Sequence, residues 1–174
     1  KEGFEPRALP PEAQLSPAFG VSVGDLDGDG IDDLFLAQNF AAFPTDADRL
    51  DAGRGLWLRG LGEANFTPVK GDEAGLKMYG DQRASALADY DADGRLDLVV
   101  TQSGGRTRLF RNNKAKPGLR VRLVGGKLNP DAIGSAARLH FGQAPDATSG
   151  TWREWQLGSG YGSQDGLAKV LATP

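Results

Sequence analysis

The chain of 174 residues has no cysteine, one histidine and one methionine. Without cysteine there are no disulfides and no thiolate metal sites. The lone histidine, His140, has no nucleophile or orienting carboxylate at motif spacing. It reads as a structural strand residue rather than a general base. No apolar run approaches the roughly 20 residues that a membrane-spanning helix needs. Lys1 opens the chain without a signal peptide, which decides nothing, because a processed chain has lost one. No field of one charge sign covers the chain, whose formal net charge is −3, and no nucleic-acid partner is expected.

What is abundant is glycine, with 25 residues beside 10 prolines. That balance is ordinary for strands joined by many turns and high for a helical protein. The acidity is concentrated in one short stretch and its copy. Asp25-Leu26-Asp27-Gly28-Asp29-Gly30-Ile31-Asp32-Asp33 carries carboxylates at loop positions one, three, five and nine. Asp89-Tyr90-Asp91-Ala92-Asp93-Gly94-Arg95-Leu96-Asp97 repeats them 64 residues on, with glycine again at position six. Like charges this close repel and need a partner. A hard divalent cation with oxygen ligands supplies it, and calcium suits the set better than magnesium, which prefers a tighter octahedron. Two bound calcium ions would move the formal charge from −3 to +1.

The expected side-chain ligands are Asp25, Asp27, Asp29 and Asp33 in one loop, and Asp89, Asp91, Asp93 and Asp97 in the other. Position seven, Ile31 or Arg95, is expected to donate a backbone carbonyl, since two such different side chains share the place. Asp32 reads as a solvated neighbour. An EF-hand is rejected, because its 12-residue loop ends in a bidentate Glu. Here position twelve is Leu36 or Val100.

Around each loop the pattern is β. Phe19, Val21 and Val23 alternate with small residues into the first loop, and Leu34–Ala37 leaves it, so the loop caps a hairpin. Gly55–Arg59 and Asn65–Thr67 follow. Arg83–Ala88, Leu96–Thr101 and Thr107–Arg111 repeat that order. Upstream, Gly3-Phe4-Glu5-Pro6 resembles Asn65-Phe66-Thr67-Pro68, and Glu12-Ala13-Gln14-Leu15 resembles Glu73-Ala74-Gly75-Leu76. No long helix fits the proline-rich residues 1–18. The unit is about 60 residues of short strands, which suggests blades of a β-propeller. Two units cannot close a ring of roughly four to eight blades. The chain is therefore expected to be a fragment of a longer protein, or to have its blade edges covered.

The first copy carries an insertion at 39–55, with Phe40, Phe43 and Pro44 and a helical turn expected at Asp46–Leu50. It is the best candidate for a specific contact, weighed against a loop packed on its own phenylalanines. From Lys114 the repeat stops, and a separate small β-domain is expected. Leu119, Val121 and Leu123 alternate there with Arg120 and Arg122, Asn129-Pro130-Asp131 marks a turn, and Ala136–Phe141 and Trp152–Leu157 are strand candidates. The Gly158–Gly162 cluster lacks a phosphate-loop lysine and reads as a turn.

These pieces carry a family resemblance. Residues 1–113 resemble FG-GAP or VCBS repeats, in copies of about 4–65 and 66–113, on the two loops and on the strand ends Leu58-Arg59 and Phe110-Arg111-Asn112-Asn113. Residues 119–164, within a domain spanning 114–174, resemble the ASPIC/UnbV domain of cartilage acidic protein and exported bacterial relatives. The matching pieces are Leu119–Leu123, Asn129–Ser135, Arg153-Glu154 and Gly160–Gln164. The chain departs by lacking a Gly-Leu-Gly turn and a Trp-Pro-x-Gly end, implying a domain cut short or rebuilt. The resemblance implies an all-β fold of two propeller-type blades followed by a small β-sandwich-like domain. It implies two structural calcium ions and no catalysis. It also implies an extracellular or periplasmic setting, with a protein or glycan ligand and further propeller blades as partners. The alternative is a metal-dependent enzyme or accessory protein of natural-product biosynthesis.

Three bland readings stand beside sharper ones. Trp57, Trp152 and Trp155 could stack on sugars in a lectin-like domain, but core or edge packing fits better. The basic residues from Arg106 to Lys127 could grip an acidic glycan, but a solvated face fits better. Asn65-Phe66-Thr67 is a formal glycosylation sequon, meaningful only in a eukaryotic secretory protein.

Overall fold

The computed structural model describes residues 3–40, 42, 44–46, 48, 51–142 and 148–173. Phe43 lies outside the described residues, as do Ala47, Arg49 and Leu50 of the helical turn expected at Asp46–Leu50. The fold is nearly all-β, in several antiparallel sheets, none closed among the described residues.

The first sheet is a meander of β1 (Ala18–Gly24), β2 (Asp33–Gln38), β3 (Leu56–Gly60) and β4 (Phe66–Val69), each strand antiparallel to the next. The second sheet orders β5 (Asp81–Ala88), β6 (Asp97–Ser103) and β7 (Arg108–Phe110) in the same way. The repeat survives in the register. Leu34 of β2 stands opposite Leu58 of β3, and Leu98 of β6 opposite Phe110 of β7. A helical turn precedes each sheet, a 3₁₀ turn at Pro11–Gln14 and the short helix α1 at Gly71–Ala74. The Glu-Ala pairs matched in sequence lie in these two turns.

The sheets meet along β1 and β5. Here the alternation in β1 works opposite to the usual sense. Val21 and Val23 face outward, 41% and 55% exposed, while Gly20, Ser22 and Gly24 face β5. A β-carbon at Gly20 would stand 3.1 Å from the Ala84 Cα, so a larger residue would push the strands apart. Ser22 Oγ and Ser85 Oγ lie 2.7 Å apart across this seam. The apolar core lies beside it. Phe35 and Ala37 of β2, Leu87 of β5 and Leu98 and Val100 of β6 close over Leu26, Leu76 and Met78. Each large side chain so buried stabilises by roughly 1.5–3 kcal/mol.

Asn39 anchors the base of the insertion. It takes a positive φ of 86°, receives Gly53 N–H at 2.8 Å and donates to Gly53 O at 2.7 Å. Phe40 packs on Phe19, with ring centroids 5.7 Å apart, and Arg83 lies over both rings.

The described residues of 114–142 and 148–173 form two-stranded pairs. β8 (Leu119–Arg122) pairs with β13 (Ala168–Leu171), β9 (Ala136–Ala137) with β12 (Arg153–Glu154), and β10 (His140–Phe141) with β11 (Thr148–Ser149). His140 is thus a strand residue, with Nδ1 2.9 Å from Ser149 Oγ. Trp155 is fully buried and donates from Nε1 to Leu167 O at 2.8 Å. Among the described residues this tail is hydrogen-bonded to β5 at Leu87. Gly166 N–H donates to Leu87 O at 2.8 Å, and Leu87 N–H donates to Asp165 Oδ1 at 2.8 Å.

Candidate metal centre

Each loop is built on two buried carboxylates that satisfy backbone donors. In the first loop Asp25 receives N–H bonds from Gly28 at 2.8 Å, Asp29 at 3.1 Å and Gly30 at 2.9 Å. Asp33, fully buried at the start of β2, receives Leu26 N–H at 2.9 Å and Gly60 N–H at 2.7 Å. Position one therefore coils the loop, and position nine ties it to the end of β3. The second loop repeats the frame. Asp89 receives Asp93 N–H at 3.0 Å and Gly94 N–H at 3.1 Å, and Asp97 receives Tyr90 N–H at 3.1 Å and Asn112 N–H at 2.7 Å. In both, position five receives the N–H of position seven, Asp29 from Ile31 and Asp93 from Arg95.

The turn chemistry is shared too. Positions four and six are left-handed in both copies, with φ of 79° and 92° at Gly28 and Gly30 and of 62° and 82° at Ala92 and Gly94. Ala92 is a side chain in a region that favours glycine.

Burial sets the electrostatics. It raises the Asp25 carboxyl despite the Gly30 and Gly28 N–H groups. It lifts Asp33 to about 6, against the lowering effect of Gly60 and Leu26 N–H. It raises Asp97 in the same way. Asp93 goes the other way, because the Arg95 side chain and backbone and the Arg111 charge outweigh burial and lower it. The loops thus hold anions that their surroundings compensate incompletely.

Oxygens of Asp25, Asp27 and Asp29 lie within 4.8 Å of one another, as do those of Asp89, Asp91 and Asp97. Of the four carboxylates expected in each loop, the structure gathers three. Asp33, whose two oxygens face backbone donors, stands outside the first cluster. Asp93, held by Arg95 Nη1 at 2.9 Å, stands outside the second. Hard oxygen donors of this kind suit calcium. Asp27 Oδ1 and Asp91 Oδ1, both at position three, are buried without a hydrogen-bond partner among the described residues.

Arginines supply the remaining compensation, which the sequence reading missed. Arg59 Nε lies 2.7 Å from Asp27 Oδ2, and Arg111 Nε lies 2.6 Å from Asp91 Oδ2. Arg120 Nε lies 3.2 Å from Asp89 Oδ2. Asp32, expected to be solvated, instead holds Arg153 at 2.7 Å. Part of the basic run is therefore committed to the loops rather than solvated, and Lys116 Nζ donates to Thr173 O at 2.8 Å. Opposite charges recurring on facing strand ends were the available signal.

The tail also crosses both loops. Lys116 N–H donates to Asp27 O at 3.2 Å, and Gly118 N–H donates to Gly94 O at 2.8 Å. Thr151 Oγ1 donates to Gly30 O at 2.7 Å. A β-carbon at Gly28 would meet Lys116 O at 2.4 Å, so glycine there permits the crossing. Beside the loops lies a cleft of about 660 Å³, bordered by Asp27, Trp57, Arg59, Phe110 and Arg111.

The comparison with protein families finds a match that spans the two loops. Residues 25–100 carry an FG-GAP-like repeat. The match opens on Asp25, the first carboxylate of one loop, and closes at Val100, just past the last carboxylate of the other. The comparison with curated proteins returned no match.

Proposed function

We propose that the protein is a non-catalytic, calcium-binding interaction module. One structural calcium is held in each loop, by Asp25, Asp27, Asp29 and Asp33 with the Ile31 carbonyl, and by Asp89, Asp91, Asp93 and Asp97 with the Arg95 carbonyl. The observation that carries this is the repeated frame. Two loops far apart in the chain turn three carboxylates each into one small space, on the same backbone hydrogen bonds. A cation there would offset the cost of burying those anions. Asp27 Oδ1 and Asp91 Oδ1 would gain the partner they lack.

The two sheets then read as propeller-type blades, and residues 119–164 as an ASPIC/UnbV-like domain on their loop ends. The ligand is a protein or glycan met outside the cytoplasm, with further blades as neighbours. Weak, millimolar-range calcium sites belong in that setting, and partial compensation by arginines favours weak binding. Of the tryptophans, Trp152 is 57% exposed and Trp57 borders the cleft, so these two could stack on a sugar, whereas Trp155 is buried.

The test is thermal unfolding with calcium and with EDTA. A ligand bound only by the native state raises the melting temperature, and Asp29→Ala or Asp93→Ala should each remove one site. Identical melting in calcium and EDTA would sink the metal reading. A second reading, a metal-dependent catalyst or accessory protein, draws on one observation, that Asp27 belongs to both the carboxylate cluster and the cleft. Ester or phosphodiester turnover lost in Asp27→Asn would favour it.

A further inference from the structure

Arg59 and Arg111 occupy equivalent places. Each directly precedes the residue whose N–H ties position nine to the sheet, Gly60 on Asp33 and Asn112 on Asp97. Each reaches the position-three carboxylate of its own loop, at 2.7 Å and 2.6 Å. Each engages one oxygen of that carboxylate and leaves the other, Asp27 Oδ1 or Asp91 Oδ1, buried and unpartnered. Neither arginine is locked in place, since their side chains are 36% and 59% exposed. Both border the cleft; Arg111 also reaches Asp93 Oδ2 at 3.4 Å, and Arg59 has alternative partners in the cleft. Arg59 Cζ lies 5.3 Å from the Trp57 ring centroid, and its Nη2 lies 3.9 Å from Glu73 Oε1.

We infer that Arg59 and Arg111 are exchangeable counter-ions that set the cation affinity of the loops. Each guanidinium holds its position-three carboxylate while the loop is metal-free. It moves off that carboxylate into the cleft when a divalent cation enters. The inference rests on the metal reading above. The energetics permit the exchange. A solvent-screened ion pair is weak, so a divalent ion displaces it readily. The competing guanidinium still lowers the apparent affinity. Arg153 is different in kind, because it pairs with Asp32, outside the expected ligand set, and fastens the tail.

The experiment is a calcium titration of wild type, Arg59→Gln, Arg59→Lys and Arg111→Gln, followed at the Gly30 and Gly94 amide signals, with melting in EDTA alongside. Arg59→Gln should bind calcium about fivefold more tightly at the Gly30 loop, leave the Gly94 loop unchanged, and melt lower in EDTA. Arg111→Gln should do the converse, and Arg59→Lys should stay near wild type. A merely structural arginine would weaken calcium binding and stability together. Wild-type binding with unchanged or weaker binding in both glutamine variants therefore overturns the inference and leaves the metal reading standing. No binding in any of the four proteins overturns both.

Discussion

The loops Asp25–Asp33 and Asp89–Asp97 share one backbone frame and differ in the charge around it. In the first, among the described residues, a single guanidinium, Arg59, meets the expected ligands. In the second, Arg95, Arg111 and Arg120 meet three of the four. Position seven makes part of the difference, since Ile31 has no charge to offer where Arg95 turns back on Asp93. The tail makes the rest, laying Arg120 on Asp89. Positions one and nine are thus spent on backbone donors in both loops and fix the shape. The side-chain partners differ, at positions one and five as well as in number, and they tune each loop.

The largest expected effect tests the shared frame. Asp33→Ala and Asp97→Ala each strip the acceptor from two backbone N–H groups, at about 1 kcal/mol or more per orphaned donor. Each should lower stability by about 2–4 kcal/mol, measured by chemical denaturation in EDTA. A large loss from one and none from the other would break the equivalence of the loops.

Next is the crossing of the tail. Gly28→Ala puts a β-carbon 2.4 Å from Lys116 O and at a positive φ of 79°, and should cost about 2 kcal/mol. The same denaturation experiment checks it, and proteolysis of residues 114–173 should speed up.

The pH dependence is smaller and specific to Asp33. Its carboxyl sits at about 6 in the folded chain against an ordinary 3.8. The folded state therefore holds that proton between those values while the unfolded state has lost it. This contribution to stability is present below pH 3.8 and is lost as pH rises through about 6. Without metal, wild type should gain about 1 kcal/mol relative to Asp33→Asn on going from about pH 7 to about pH 5. A gain of equal size in Asp33→Asn would assign the effect elsewhere. The smallest change is Ala92→Gly, which relieves a positive φ of 62° and should stabilise the second loop by about 0.5–1 kcal/mol.

The hairpin at each loop was legible because turn residues and alternating strands are local signals, and the hairpins lie where those signals put them. Position six was legible as glycine because a sharp turn demands it. The facing of β1 was not, because Val21 and Val23 are its most apolar residues and yet lie outside. The close approach of β5 to Gly20 and Gly24 decides the matter, and that approach is long-range. Arg59 and Arg111 escaped notice for the same reason. Their roles depend on cross-strand register that brings Gly60 to Asp33 and Asn112 to Asp97. Asp32 looked solvated until the tail delivered Arg153 to it.

The most direct test of the central claim is a calcium titration of the wild-type chain read separately at Gly30 and Gly94. Both amides should respond, with the Asp25–Asp33 loop filling first and binding about tenfold more tightly, because fewer guanidiniums compete for it. Saturation of the Asp89–Asp97 loop first, or no response at either glycine, would contradict the account.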